Sequence, residues 1–591
     1  MIPRSEYPRP QFKRKDWLCL NGQWEFEIDH GDTGFERGIL DRCLNGKIIV
    51  PFCPESELSG VHNTDFMNSV WYRKVVRIPS EWKGRKVLLH FQAVDYETTV
   101  WVNGVETARH TGCWSGFECD LEKIAEPGQE ITILVRARDL KSDTGKPAGK
   151  QTVDRFNNYA CNYTRTTGIW QTVWMEPVSK IHIKRPRITP DMANSCFHIV
   201  VPMTNSRACA TLRVTLSDNK GTIDYAHIPA DKDFAPAIDL KIPEDRIRKW
   251  CPQDPFLYDL KFEVFDNTGN ILDVVDSYSA MRSITLEAKA FKLNGETVFL
   301  RQVLDQGYYP DGILTAPSDN DLKKDILLAM KAGFNSARLH QKVFEERFLY
   351  HCDKMGYLVW GEFGDWGIDK KSPQPTYITQ WLEVLIRDYS HPCIVGWCGL
   401  NETFQDITDN RSPLTELTWG MFLAAKAIDS TRPVIDASGY SHRIPVTDIY
   451  DSHNYEQDPE KFAKYFSDMS KPFVNPYPWE KTGPWSVPYA DQPYFCSEFG
   501  GIKWNIDMAN TNAQDISWGY GDAPHYLEEF YVRFEGLCRT LLENRDMFGY
   551  CYTQLTDVFQ EQNGIYKFDR SEKFNTERIC KIQQAIAAIE K

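Results

Sequence analysis

The chain of 591 residues contains no apolar run near the ~18–20 residues that a membrane span needs. Its first stretch, Met1 to Pro10, carries charges and prolines where a secretory leader would place an apolar core. As written it is expected to be cytoplasmic, with no membrane partner. It also lacks a basic surplus: 68 Lys and Arg stand against 82 Asp and Glu, a formal charge of −14, so nucleic acid is not an expected partner. The 16 cysteines include no Cys-x-x-Cys pair and no tight cluster, which excludes a zinc ribbon and a small disulfide scaffold. They read as buried thiols of a reducing compartment. Cys393 and Cys398, five apart in one apolar run, read as core residues on opposite faces of a strand. No His-Glu-x-x-His, Gly-x-x-x-x-Gly-Lys or Gly-x-Ser-x-Gly stands in a convincing context, and there is no internal repeat or low-complexity segment.

What is present is the composition of a folding chain, 42% hydrophobic and 25% charged. The length suits three domains. From Trp17 to about Val178, short β-type runs such as Lys86 to Phe91, Thr98 to Val102 and Ile131 to Val135 are broken by Gly, Pro, Asn and Asp, and Asn103-Gly104 is a strong hairpin signal. Residues 1–178 are therefore expected to form a β-sandwich. Residues 179–286 carry further strands, among them Phe197 to Val201, Ala210 to Val214 and Leu260 to Phe265, at the size of an immunoglobulin-like β-sandwich.

From residue 287 to 591 strands alternate with helices. Val298 to Val303, Phe334 to Leu339, Tyr357 to Gly361, Ile394 to Leu400, Pro433 to Ala437, Asp448 to Ser452, Tyr494 to Ser497 and Met547 to Thr553 make eight strands, the count of a (β/α)8 TIM barrel. Ser318 with Asp321 opens a helix to about Lys331, and Glu345 to Lys354 is the next. A final helix is expected over Glu577 to Lys591, with Ile579, Ile582, Ile586 and Ile589 as its buried stripe.

Reacting groups in a barrel come from the C-terminal ends of strands. The fourth strand ends in Asn401-Glu402 and the seventh in Glu498-Phe499-Gly500-Gly501. Two carboxylates ~5–5.5 Å apart across one mouth are what a retaining glycosidase needs, while ~6.5–9.5 Å leaves room for a water and implies inversion. Sequence does not measure that gap. Each glutamate alone would pass for a solvated loop residue; together, each directly after a buried strand, they read as catalytic.

Asn401-Glu402, Ser497-Glu498-Phe499-Gly500 and two sandwiches ahead of a barrel resemble glycoside hydrolase family 2, which includes β-galactosidases, β-glucuronidases and β-mannosidases. Leu20-Asn21-Gly22-Gln23-Trp24-Glu25-Phe26, Trp71-Tyr72-Arg73, Val102-Asn103-Gly104 and Gly168-Ile169-Trp170-Gln171-Thr172-Val173-Trp174 resemble that family's jelly-roll sugar-binding domain. The resemblance implies that Glu402 is the acid/base and Glu498 the nucleophile. It implies that Asn401 binds the sugar 2-hydroxyl and that Arg338, ending the second strand, lies beside the nucleophile. His340 is expected to bind a sugar hydroxyl or to fill the core. Tyr455 is expected to orient the nucleophile, with His453 as its neighbour. Trp360, Trp366 and Trp504 are candidates to line sugar subsites, and Glu362 and Asp365 are rival carboxylates without an opposed partner. Asp305, after strand one, is a candidate sugar ligand.

The expected function is a retaining exo-glycosidase on a terminal sugar of an oligosaccharide or glycoside, needing no cofactor and no metal, with a homo-oligomer left open. β-Galactosidase leads; a β-D-galactofuranosidase or α-L-arabinofuranosidase is the alternative. β-Glucuronidase ranks lower, because the Asn-x-Lys of that branch is replaced by Glu561-Gln562-Asn563-Gly564. A carbohydrate-binding pseudoenzyme is the reading from another class.

Overall fold

The computed structural model describes residues 2–141, 143, 145–152, 158–204, 207–366, 375–403, 413–475, 485–505 and 517–591. The N-terminal sandwich stacks a six-stranded antiparallel sheet on a four-stranded one. Asn103-Gly104 makes the expected tight turn between Glu97–Val102 and Val105–Thr111, with both residues at positive φ, 51° and 76°. Between the sheets lie alternate side chains of each strand, including Trp24, Tyr72, Val100 and Ile133. The second domain is a smaller sandwich of three and four strands around Phe197, Leu212, Phe262 and Val275.

The third domain is a barrel of eight parallel strands: Leu300–Asp305, Ser336–Leu339, Leu358–Glu362, Ile394–Cys398, Val434–Ile435, Tyr450–Asn454, Tyr494–Gly500 and Met547–Thr553. They are hydrogen-bonded in the order five, four, three, two, one, eight, seven, six, so the ring is nearly closed, with strands five and six at its seam. Its interior interlocks large and small residues: a Cβ on Gly396 would come within 2.7 Å of the Trp360 ring, and one on Gly361 within 2.5 Å of Trp397. A small sheet, Ile284–Glu287, Ala290–Leu293 and Glu296–Thr297, precedes the barrel. Its Phe291 stacks on Phe548 at the start of strand eight and so closes the end away from the site.

Three boundaries differ from the sequence reading in ways that matter. Strand one runs on to Asp305, strand six to Asn454 and strand seven to Gly500, so Asp305, His453 and Glu498 are strand residues, and His453 pairs with Glu498 across the ladder. The last helix spans only Thr576–Gln583 and Ile586 is exposed. The helix stops there because Arg301 takes the carbonyls of Gln583 and Ala585, while Glu590 accepts from the backbone N–H groups of Phe299 and Ala587. Among the described residues no helix is long and apolar enough to cross a membrane.

Candidate active site

Glu498 lies on strand seven with its carboxylate held from two sides. Arg338, at the end of strand two, donates from Nη1 to Oε1 at 2.9 Å, and the Tyr455 hydroxyl donates to Oε2. Arg338 is itself fixed: Nε donates to Glu362 Oε2 at 2.5 Å and Nη2 to Asn401 Oδ1. Burial works against its charge, but Glu362 and Glu498 outweigh it and its pKa is raised. Tyr455 stacks face to face on Tyr520, ring centroids 3.3 Å apart, which sets the direction of its hydroxyl.

Glu402 follows strand four in the left-handed region, φ 45°, a conformation that costs a non-glycine residue energy and is held by the bond from its N–H to Ser438 O. Its carboxylate accepts from Trp366 Nε1 at 2.6 Å and meets His453 Nδ1 at 2.6 Å. Burial would raise its pKa, but His453, Lys150 and Trp366 bring it below the ordinary value. Burial would lower the pKa of His453, and Glu498 and Glu402 instead leave it raised. An oxygen of Glu402, a nitrogen of His453 and an oxygen of Glu498 all lie within 4.8 Å of one another.

Several polar atoms around this pair keep unused hydrogen-bonding capacity. Asn401 Nδ2 and His340 Nε2 are buried without a hydrogen-bond partner among the described residues. His340 Nδ1 lies 3.0 Å from Glu362 and 3.9 Å from Glu498, and burial followed by the Lys150 charge holds its pKa far down, so the ring is neutral. Lys150 comes from the N-terminal sandwich. Gly149 N–H bonds Gly364 O, which seats the segment on the barrel mouth, and the Lys150 ammonium sits 5.1 Å over the Trp366 ring. The residue as a whole is buried, and its ammonium has no hydrogen bond or ion pair among the described residues. Burial opposes its charge, but Cys161, Glu561, Glu498 and Glu402 override it.

The structure thus brings Glu402, Glu498, Asn401, Arg338, His340, His453 and Tyr455 into one group. Asp305 does not join it: its carboxylate accepts from Gly307 N–H at 2.9 Å, in a separate cluster with Asp325, Arg570 and Lys342. Trp504 is packed in the core with its backbone N–H on Gln562 O, and Trp360 stacks on Phe495, so both serve the fold. Glu362 is no rival but the anchor of Arg338. Sequence reasoning missed Lys150; the one signal was the long stretch from Arg138 to Gly168, unusually long for a sandwich loop. It also missed Ser438 and Asn475, which hold His453 through its ring Nε2 and its backbone.

Three groups of side chains among the described residues could be weighed as metal ligands. The carboxylates of Glu402 and Glu498 already accept from Trp366, Arg338 and Tyr455, and the guanidinium 2.9 Å from Glu498 repels a cation. Asp353, His391 and Cys393 are a buried knot in which Asp353 also takes the Tyr278 hydroxyl, and Asp191, Cys196 and His198 lie on the second sandwich. A cleft of about 330 Å³ where the three domains meet is lined by Arg9, Arg14, Arg185 and Arg387, each bound to Glu176, Asp273, Glu346 or Asp388, and is an ion-pair junction.

Three family profiles match in order: glycosyl hydrolases family 2, sugar binding domain, over residues 57–175; glycosyl hydrolases family 2 over 181–282; and the TIM barrel domain of the same family over 284–484. A β-glucuronidase of Paenibacillus borealis is 25% identical over 417 residues, covering 66% of this chain and 68% of that protein. A β-galactosidase of Thermoanaerobacter pseudethanolicus is 25% identical over 410 residues, covering 66% of this chain and 51% of that protein, so the chain spans about half to two thirds of these relatives. The solved β-glucuronidase of Ruminococcus gnavus in complex with D-glucuronic acid superposes with a TM-score of 0.77 at 18% identity, over 98% of this chain and 100% of that one, a likeness of fold.

Proposed function

This chain belongs to glycosyl hydrolase family 2, and we propose that it is a retaining exo-glycosidase in which Glu498 is the nucleophile and Glu402 the acid/base. The observation that carries the reading is the approach of the two carboxylates to within 4.8 Å. That closeness supports direct attack on the anomeric carbon over the gap of ~6.5–9.5 Å between carboxyl groups that an inverting enzyme keeps for its water.

Glu498 Oε2, aimed by Arg338 and Tyr455, attacks the anomeric carbon as the glycosidic C–O bond breaks, and Glu402 gives the departing oxygen its proton. Water then attacks the glycosyl ester, Glu402 takes a proton from it, and Glu498 is released. Asn401 Nδ2, with no partner of its own, is the donor for a 2-hydroxyl, whose hydrogen bond strengthens as the ring becomes oxocarbenium-like.

For the glycone we favour a β-linked uronic acid. The support is the unpaired Lys150 ammonium at the mouth, together with relatives that carry the name β-glucuronidase. Asn563 does not take that part, since its Oδ1 and Nδ2 are bonded to Gln554 and Glu561. A β-galactoside is the second reading, favoured by the relative of that name. Turnover of nitrophenyl β-glucuronide, β-galactopyranoside, β-mannoside, β-galactofuranoside and α-L-arabinofuranoside by the wild type and Glu402→Gln tests both. Cleavage of the glucuronide above the others supports the reading, and cleavage of the galactoside alone replaces it.

A further inference from the structure

Behind the two glutamates a file of buried side chains runs into the barrel wall. Asp436 Oδ1 lies 2.7 Å from His442 Nδ1, and His442 Nε2 lies 2.9 Å from Asp451 Oδ1. Ser438 Oγ donates to Asp451 Oδ2 at 2.7 Å and stands 3.0 Å from His453 Nε2, while His453 Nδ1 is 2.6 Å from Glu402 Oε1. Gly439, at φ 88°, makes room for this: a Cβ there would come within 2.8 Å of the His453 ring.

The acceptors dictate the direction of each bond. Asp451 is flanked by His442, which burial disfavours as a cation but Asp436 and Asp451 hold charged with a pKa pushed up to about 10. Asp451 is therefore a carboxylate and accepts only. A hydroxyl has one proton, and Ser438 gives it to Asp451, so toward His453 Ser438 can only accept. Nε2 of His453 must then carry a hydrogen. Nδ1 is the nitrogen left to face Glu402, and a 2.6 Å contact between it and a carboxylate oxygen requires a proton between them. Arg338 Nη1 approaches Nε2 only to 3.4 Å and donates already to Glu498 Oε1 and Ser497 O.

We infer that the acid/base proton is held jointly by Glu402 and His453, and that Ser438, backed by Asp451 and His442, enforces this by fixing His453 as its Nε2–H form. The inference rests on the acid/base role proposed for Glu402. The charged and titratable groups that face or act on His453 are Glu402, Glu498, Arg338, Asp451 and, beyond Arg338, His340. With Glu498 ionised, the proton rests on the imidazole and Glu402 is a carboxylate. As the glycosidic bond breaks, the proton on Nδ1 moves to Glu402 and Glu402 passes it to the leaving oxygen, so that the net donor is imidazolium and the ring ends neutral. When water attacks, Glu402 takes its proton and shares it again with Nδ1, restoring the pair. His453 is a positioning residue, because its partner and not itself meets the leaving oxygen.

The direct test is nitrogen-15 NMR of the full chain labelled in histidine, with His453 assigned by its loss in His453→Gln. Nε2 should be protonated throughout the active pH range and Nδ1 should share a low-field proton; a bare Nε2 overturns the inference. In parallel, methyl and 2,4-dinitrophenyl glycosides of the glycone that is cleaved are compared in the wild type, Ser438→Ala and Ser438→Thr. Ser438→Ala should lose about 10–100-fold in kcat/KM on the methyl glycoside, with its pH profile displaced, and stay within about 2-fold in kcat/KM on the dinitrophenyl one, whose departure needs little acid assistance. Ser438→Thr, which keeps the hydroxyl, should recover the profile. An unchanged profile and leaving-group dependence in Ser438→Ala contradict the inference. Glu402→Gln separates the two readings: without a leaving-group dependence of its own, the acid/base assignment falls, whereas with one and a silent Ser438→Ala only the proton sharing falls.

Discussion

Two buried charge clusters sit a few strands apart in the same barrel, and they differ in what they leave undone. Beneath strand one, Arg570 grips Asp325 through two bonds of 3.0 Å and caps Tyr308 O, Lys342 donates to Gly307 O and Leu314 O, and Asp305 takes Gly307 N–H. The Arg570 and Lys342 donors there end on protein acceptors. Around Glu402 and Glu498, by contrast, Asn401 Nδ2 and His340 Nε2 are buried with no hydrogen-bond partner among the described residues, and the Lys150 ammonium has only the face of Trp366. An unmet buried polar group costs about 1–3 kcal/mol, so a fold keeps a set of them where a ligand meets them.

The contrast can be broken from either side. Glu498→Ala should abolish measurable turnover, a loss of at least about 10³-fold in kcat as expected for a nucleophile, while the melting temperature stays near that of the wild type; retained turnover would remove Glu498 from the chemistry. Arg570→Met should do the reverse. It strands Asp325 in the interior at about 3–5 kcal/mol of stability, read from denaturant unfolding, with KM of the surviving enzyme unchanged. Lys150→Met should lower kcat/KM on a glucuronide by about 10–100-fold, the worth of a charge-assisted bond, and leave a neutral glycoside within about 2-fold; equal losses on both would refute the uronate contact.

The smallest effect is expected at Asp305, where burial and then Asp325 push the pKa up to about 7. A carboxyl whose folded pKa exceeds its unfolded one contributes stability below the unfolded value, about pH 3.8, and loses it as pH rises through 7. Asp305→Asn should therefore be more stable than the wild type above pH 7 and no different in turnover. A large loss of activity would return Asp305 to the site.

The three domains, the eight strands and the two glutamates were legible because each leaves a local mark: alternation in the sandwiches, strand-helix rhythm in the barrel, a polar residue closing an apolar run. Arg338 and Tyr455 were legible for the same reason. Asp305 carried the same mark, but its carboxylate takes Gly307 N–H in another cluster, a bond within the loop that no spacing announces. Glu362 read as a rival carboxylate because the Arg338 that it anchors lies on the neighbouring strand. Lys150 could not be read at all: it reaches the barrel from another domain, across a contact that no spacing encodes. The last helix failed for a different reason, since its stripe of isoleucines runs past Gln583 but Arg301, from far earlier in the chain, captures the carbonyls that would continue it.

The central claim, that Glu498 forms the covalent bond to the sugar, is tested most directly by treating the protein with 2-deoxy-2-fluoro-glucuronyl and 2-deoxy-2-fluoro-galactosyl fluorides and mapping the labelled peptide by mass spectrometry. The account predicts one sugar per chain, attached to Glu498, with labelling blocked in Glu498→Ala. A sugar found on Glu402 or Glu362 instead would contradict it.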